Sequence, residues 1–101
     1  MKKYKDFSMD IMGQKWRVKF VPVLVKNEEG EVAGICDFPD KILWISMNQD
    51  HEHIIITIFH ELFHAYTRRS GIYNATLSHD TEEIIADQFA TVIAENFDFK
   101  L

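Results

Sequence analysis

Ile54-Ile55-Ile56-Thr57-Ile58-Phe59-His60-Glu61-Leu62-Phe63-His64 is the stretch on which the reading of this chain turns. Its apolar residues follow a helical period. With His60 at zero, Ile54, Ile55, Ile58, Phe59, Leu62 and Tyr66 fall within roughly 120° to 260° around a helix axis. At about 100° per residue, His60 and His64 stand roughly 40° apart, one turn from each other, opposite that stripe. The predicted helix is capped by Asn48 or Asp50 and runs to about Arg69. Gly71 is the natural stop beyond it. Such a helix packs its apolar side on a sheet and presents its histidines on the other side.

The chain before this helix has a strand period instead. Phe7, Met9 and Ile11 alternate with Ser8 and Asp10, and Trp16, Val18 and Phe20 alternate with Arg17 and Lys19. Gly13-Gln14 fits a two-residue hairpin turn with glycine first. Pro22 ends the second strand or places it at an edge. A third strand is expected over Glu31 to Phe38 and a fourth over Lys41 to Met47, joined by Pro39-Asp40. Because every connection is short, the expected sheet has about four strands and is mostly antiparallel. The fold class is therefore α+β, in one domain over residues 1–101.

After the long helix, Ile72 to Ser78 reads as a connection. A second helix is expected from Asp80 or Thr81 to about Asn96. It carries Glu82-Glu83-Ile84-Ile85-Ala86-Asp87. Glu83 and Asp87 are four apart and share a face, whereas Glu82 lies about 100° away and points elsewhere. Ala86, Ala90 and Ala94 flank that face and allow close approach of the two helices. The tail Phe97 to Leu101 is expected to be tied down by its phenylalanines.

The chemistry lies in the segment H-E-x-x-H, residues 60–64. Two imidazoles one turn apart can bind one metal ion, and the carboxylate between them can act on a water held there. A catalytic zinc takes three protein ligands, so a third is needed. Glu83 is the candidate, with Asp87 accepting a hydrogen bond from a ligand histidine to fix its tautomer. The competing reading makes Asp80-x-x-Glu83 a helix capping box. Cys36 reads either as a buried strand thiol or as a thiolate able to reach the metal.

Composition narrows the class. The chain has 101 residues, is 47 % hydrophobic and carries a formal net charge of −5. That balance argues against nonspecific nucleic-acid binding, and the basic residues near the start and along the second strand read as solvated. One cysteine permits no internal disulfide. No stretch has the makeup of a signal peptide or a membrane span. A cytoplasmic protein with no membrane partner is the expectation.

H-E-x-x-H followed nineteen residues later by E-x-x-x-D resembles the gluzincin zinc peptidases. The nearer likeness is to short bacterial or phage-borne ImmA/IrrE-like metallopeptidase domains. It is carried by Gly34-Ile35-Cys36-Asp37, Lys41-Ile42-Leu43-Trp44-Ile45, the H-E-x-x-H helix, and Glu83-Ile84-Ile85-Ala86-Asp87-Gln88-Phe89-Ala90. The resemblance implies His60, His64 and Glu83 as ligands of one Zn2+, Glu61 as general base and acid, and Asp87 as the outer partner of a histidine. It also implies a residue that stabilises the transition state, for which Tyr66, Tyr73 and His79 are candidates. The expected function is zinc-dependent peptide-bond hydrolysis, with a peptide or protein segment, even a regulatory protein, as substrate. That segment is expected to pair with a sheet edge along Lys41 to Met47. The alternative is a zinc-stabilised protein-binding module without general proteolytic activity.

Overall fold

The computed structural model describes residues 4–71 and 77–101. β1 (Phe7–Ile11) and β2 (Gln14–Val21) form a hairpin in which Ile11 pairs with Gln14. The turn is Met12-Gly13, one residue earlier than the sequence suggested. Both residues have positive φ, 47° and 83°, so glycine takes the second position. This is the backbone that matches strand twist in a two-residue loop. β2 stops at Val21, directly before Pro22, as expected.

The predicted third strand divides. β3 (Val25–Lys26) and β4 (Gly30–Glu31) pair with each other as a small separate ribbon around a 3-10 turn at Asn27–Glu29. β5 (Gly34–Asp37) and β6 (Ile42–Ser46) then join the main sheet. Its strand order is β1-β2-β6-β5. The sheet is mixed: two of its three pairings are antiparallel, in line with the expectation, and one is parallel. β1/β2 and β5/β6 are antiparallel, but β2 and β6 run parallel, with Val18 opposite Leu43 and Phe20 opposite Ile45. The chain between β2 and β6 contains the ribbon and β5, so it is long enough to cross over although each single turn is short. β6 is consequently an inner strand, bonded on both sides. The open edge on this side is β5, and the substrate edge expected over Lys41 to Met47 is corrected accordingly.

The inner face of the sheet buries Trp16, Val18, Phe20, Leu43 and Ile45, while Lys15 and Arg17 stay exposed. Against it lies α1 (His51–Ser70), contributing Ile54, Ile58 and Ala65 to the same core. Asp50 caps α1, its carboxylate accepting from the His53 N–H at 2.8 Å, and Gly71 closes it with φ 84°. Tyr66, expected on the apolar stripe, is 38 % exposed. α2 (His79–Asn96) packs on α1 through Ala86 and Ala90, both fully buried, which lets the helix axes come close. Its cap is Ser78, whose Oγ accepts from the Thr81 N–H at 3.2 Å. The competing capping box from Asp80 therefore does not form, and Glu83 is not committed to it. The tail is held where the Phe99 ring meets Phe59, centroids 5.0 Å apart. Among the described residues no helix is long and apolar enough to cross a membrane.

Gly34 sets how near β5 comes to α1. A Cβ there would lie 2.6 Å from Thr57 Cγ2, 3.0 Å from Glu61 Cγ and 3.1 Å from Glu61 Oε2. Thr57 cannot turn aside freely, because its hydroxyl bonds the His53 carbonyl at 2.8 Å and Gln49 Oε1 at 3.1 Å. Gly34→Ala is expected to destabilise the protein by about 1–3 kcal/mol through overpacking. In a thermal melt that is a fall of roughly 4–8 °C per kcal/mol for a domain of this size. An unchanged melting temperature would show that the strand and helix can part without cost.

Candidate metal and catalytic site

The two helices bring three side chains to one point. His60 and His64 project from consecutive turns of α1 towards α2, and Glu83 comes from the second turn of α2. His60 Nε2 lies 3.2 Å from one Glu83 oxygen and His64 Nε2 lies 2.9 Å from the other. The two Nε2 atoms are 3.0 Å apart. This is a grouping of three donor atoms that can hold a metal ion.

Each ring also has a carboxylate on its far side. His60 Nδ1 is 2.7 Å from the Asp87 carboxylate, and His64 Nδ1 is 3.3 Å from Glu82 Oε1. In the tautomer that carries its proton on Nδ1, each ring donates towards the carboxylate behind it and turns its Nε2 lone pair towards Glu83. In that tautomer the two imidazole nitrogens and the carboxylate form a donor set that fits a divalent metal ion.

Glu82 is the residue that sequence reasoning missed. It was expected to point elsewhere, yet it is 1 % exposed and lies beneath His64. Its Oε1 accepts a hydrogen bond from the Thr67 hydroxyl, and its Oε2 has no partner among the described residues. The 100° offset from Glu83 was read correctly, but that direction is inward between the helices. The overlooked signal was Thr67, one turn beyond His64 on α1, which is itself fully buried.

Glu61 takes a different direction from its flanking histidines. Its side chain lies over Gly34 of β5 and is 8 % exposed. Burial raises its carboxyl pKa above the ordinary value; the neighbouring His60 and His64 pull it down, and Glu83 adds to the rise. The residue is therefore placed at the wall of a cleft of about 370 Å³ that also contains His60, His64, Glu83 and Asp87. Gly34, Ile35 and Cys36 of the open strand edge form one side of this cleft. Burial pushes the Cys36 thiol up to about 12, which favours the reading of a neutral, half-buried strand residue over a thiolate ligand.

The three candidates for a stabilising residue separate. His79, at the first turn of α2, lines the cleft. Tyr66 is directed outward beside Phe63 and does not line it. Tyr73 lies outside the described residues. Comparison with protein-family models, with curated proteins and with solved structures returns no match for this chain.

Proposed function

We propose that this chain is a zinc-dependent peptidase whose ligands are His60, His64 and Glu83. The observation that carries the reading is the convergence of both Nε2 atoms on the Glu83 carboxylate, with both Nδ1 atoms facing carboxylates behind them. Four-coordinate zinc with bonds of about 2.0–2.1 Å places its ligand atoms about 3.3 Å apart. His64 Nε2 lies 2.9 Å from one Glu83 oxygen and 3.0 Å from His60 Nε2, near that spacing. Nitrogen and oxygen donors of this kind, three in number, leave a fourth position open, as in catalytic rather than structural sites.

When bound, the ion would supply Lewis-acid chemistry, drawing charge from a scissile carbonyl and making a nearby water more acidic. The chain's own residues do the rest. Glu61 accepts the proton of the attacking water and delivers it to the leaving amine, a transfer that its burial beside Gly34 keeps directed into the cleft. His79 donates a hydrogen bond towards the oxygen on which negative charge develops. An extended substrate segment adds to the open edge of β5, where backbone groups of Gly34 to Asp37 are available for strand pairing.

The resemblance to gluzincins and to ImmA/IrrE-like domains rests on the two spaced motifs and agrees with this assignment. The binding-module alternative gives no role to Glu61. A carboxylate buried at the cleft wall but not among the three converging ligands has little use in a structural metal site. The zinc-loaded protein is expected to cleave members of a diverse peptide library, and to lose that activity with a chelator and regain it with zinc. A folded, zinc-loaded chain that cleaves neither peptides nor unfolded proteins would favour the binding module.

A further inference from the structure

α2 packs on α1 through Ala86 and Ala90 and leaves a second apolar face in water. Phe89 is 59 % and Val92 53 % exposed, and Ile85 beside them is 38 % exposed. These three recur at the four- and three-residue intervals of one helix stripe. With Ile85 at zero, the stripe spans roughly −60° to +40° and also holds Thr81, Gln88 and Asn96. It carries no charge, although α2 has five acidic residues. Glu82 is buried, Asp80, Glu83 and Asp87 lie roughly 140° to 200° from Ile85, and Glu95 stands at the rim. The stripe is therefore on the flank of α2 away from the metal-binding group. It also reads alike in both directions: Thr81 matches Asn96, Ile85 matches Val92, and Gln88 and Phe89 share the centre.

From this face we infer that the chain forms a dimer with a second copy, the two α2 helices packing antiparallel across a two-fold axis beside Phe89. A two-fold contact joins a surface to itself, so that residue i meets j and j meets i. The symmetry of the stripe supplies that match, with Ile85 against Val92 of the other copy and Thr81 against its Asn96. Charge selects the occupant. Copies with a net charge of −5 repel, and they can approach closely only through an uncharged face. A basic partner finds no carboxylate on the stripe. With no Lys or Arg, α2 has nothing to draw it to an anionic lipid surface. Area permits the contact. The three stripe residues, with exposed Ile84 and Phe97 at its borders, leave roughly 500 Å² of apolar surface in water per copy. Two copies joined there bury roughly 1,000 Å² before the polar rim is counted, the size at which specific interfaces begin. The dimer leaves both metal-binding clefts open, and the inference does not depend on the peptidase reading.

The test is sedimentation equilibrium of the full chain over a concentration series. The parent is expected to pass from 11.9 kDa to twice that mass, with a dissociation constant of about 1–100 µM. Phe89→Glu sets two carboxylates close to each other at the axis and should weaken association by about 100-fold or more. Ile85→Lys and Val92→Glu should each weaken it as well. The double variant, which sets each new lysine against the new glutamate of the other copy, should restore it. Thr91→Glu, roughly 120° off the stripe, should leave the mass unchanged. All these positions are exposed, so circular dichroism at low concentration should match the parent's. A parent that stays monomeric throughout, or a dimer that survives Phe89→Glu, overturns the proposal. A double variant that stays monomeric overturns the antiparallel pairing. Flotation of a monomeric parent with phosphatidylcholine–phosphatidylserine vesicles, lost in Phe89→Glu, assigns the stripe to lipid and overturns the second copy as its occupant.

Discussion

Glu61→Gln is expected to bind one zinc per chain as the parent does, keep the fold, and lose peptidase activity by about 10²- to 10⁴-fold. The amide has the size of the carboxylate, so the close contact with Gly34 is preserved. Glu61 is also not among the three residues whose donor atoms converge, so the proposed metal site is expected to stay intact. What disappears is the ability to take a proton from water. The effect should fall on kcat, because a proton transfer is made only on the way to the transition state. The check is a paired measurement of zinc content and peptide turnover. Turnover equal to the parent's would assign the proton transfer to another residue and undo the mechanism.

The adjacent glutamates of α2 are expected to fail in opposite ways. Glu82→Ala removes the carboxylate that faces His64 Nδ1 and one of the two acceptors of the buried Thr67 hydroxyl, which keeps the His64 carbonyl, and leaves a void between the helices. The void and a donor left without its acceptor cost about 1–3 kcal/mol each, and the relief of burying one carboxylate fewer offsets part of the total. A loss of about 2–5 kcal/mol is the expected balance, a large share of the 5–15 kcal/mol typical of a small domain. Thermal or denaturant unfolding of the metal-free protein reads it directly, and Glu82→Gln, which keeps an acceptor oxygen and the volume, should recover most of it. Glu83→Ala, at a half-exposed position, should unfold at nearly the parent temperature without metal yet bind zinc poorly. Equal stability of Glu82→Ala and the parent would mean that the buried carboxylate is dispensable.

Much that depends on local chemistry was readable in the sequence. α1 could be placed from its period, its Asp50 cap and Gly71, because cap geometry and helical spacing need no distant partner. Spacing likewise put His60 with His64 and Glu83 with Asp87, and the structure unites the two pairs. What was not readable depends on where elements lie relative to one another. The parallel pairing of β2 with β6 follows from the path of the chain between them, which no strand pattern records. The open edge moved from Lys41–Met47 to β5 for that reason. Glu82 was misjudged because its angle on α2 was known but the direction of α1 was not. The hairpin turn and the second helix cap were each displaced by one or two residues. At the helix start, Ser78 and Asp80 stand two residues apart and both can cap; at the turn, Gly13 can take either central position.

The central claim is that Glu83 completes a three-ligand zinc site with His60 and His64. The most direct test is a competition titration of zinc against a chromogenic chelator, run on the parent, Glu83→Ala and Glu82→Gln. The account predicts one zinc per parent chain. Loss of Glu83 should weaken binding by more than the roughly 10- to 100-fold that an outer partner costs, while Glu82→Gln should stay within that range. Equal zinc affinity of the parent and a folded Glu83→Ala chain would contradict it.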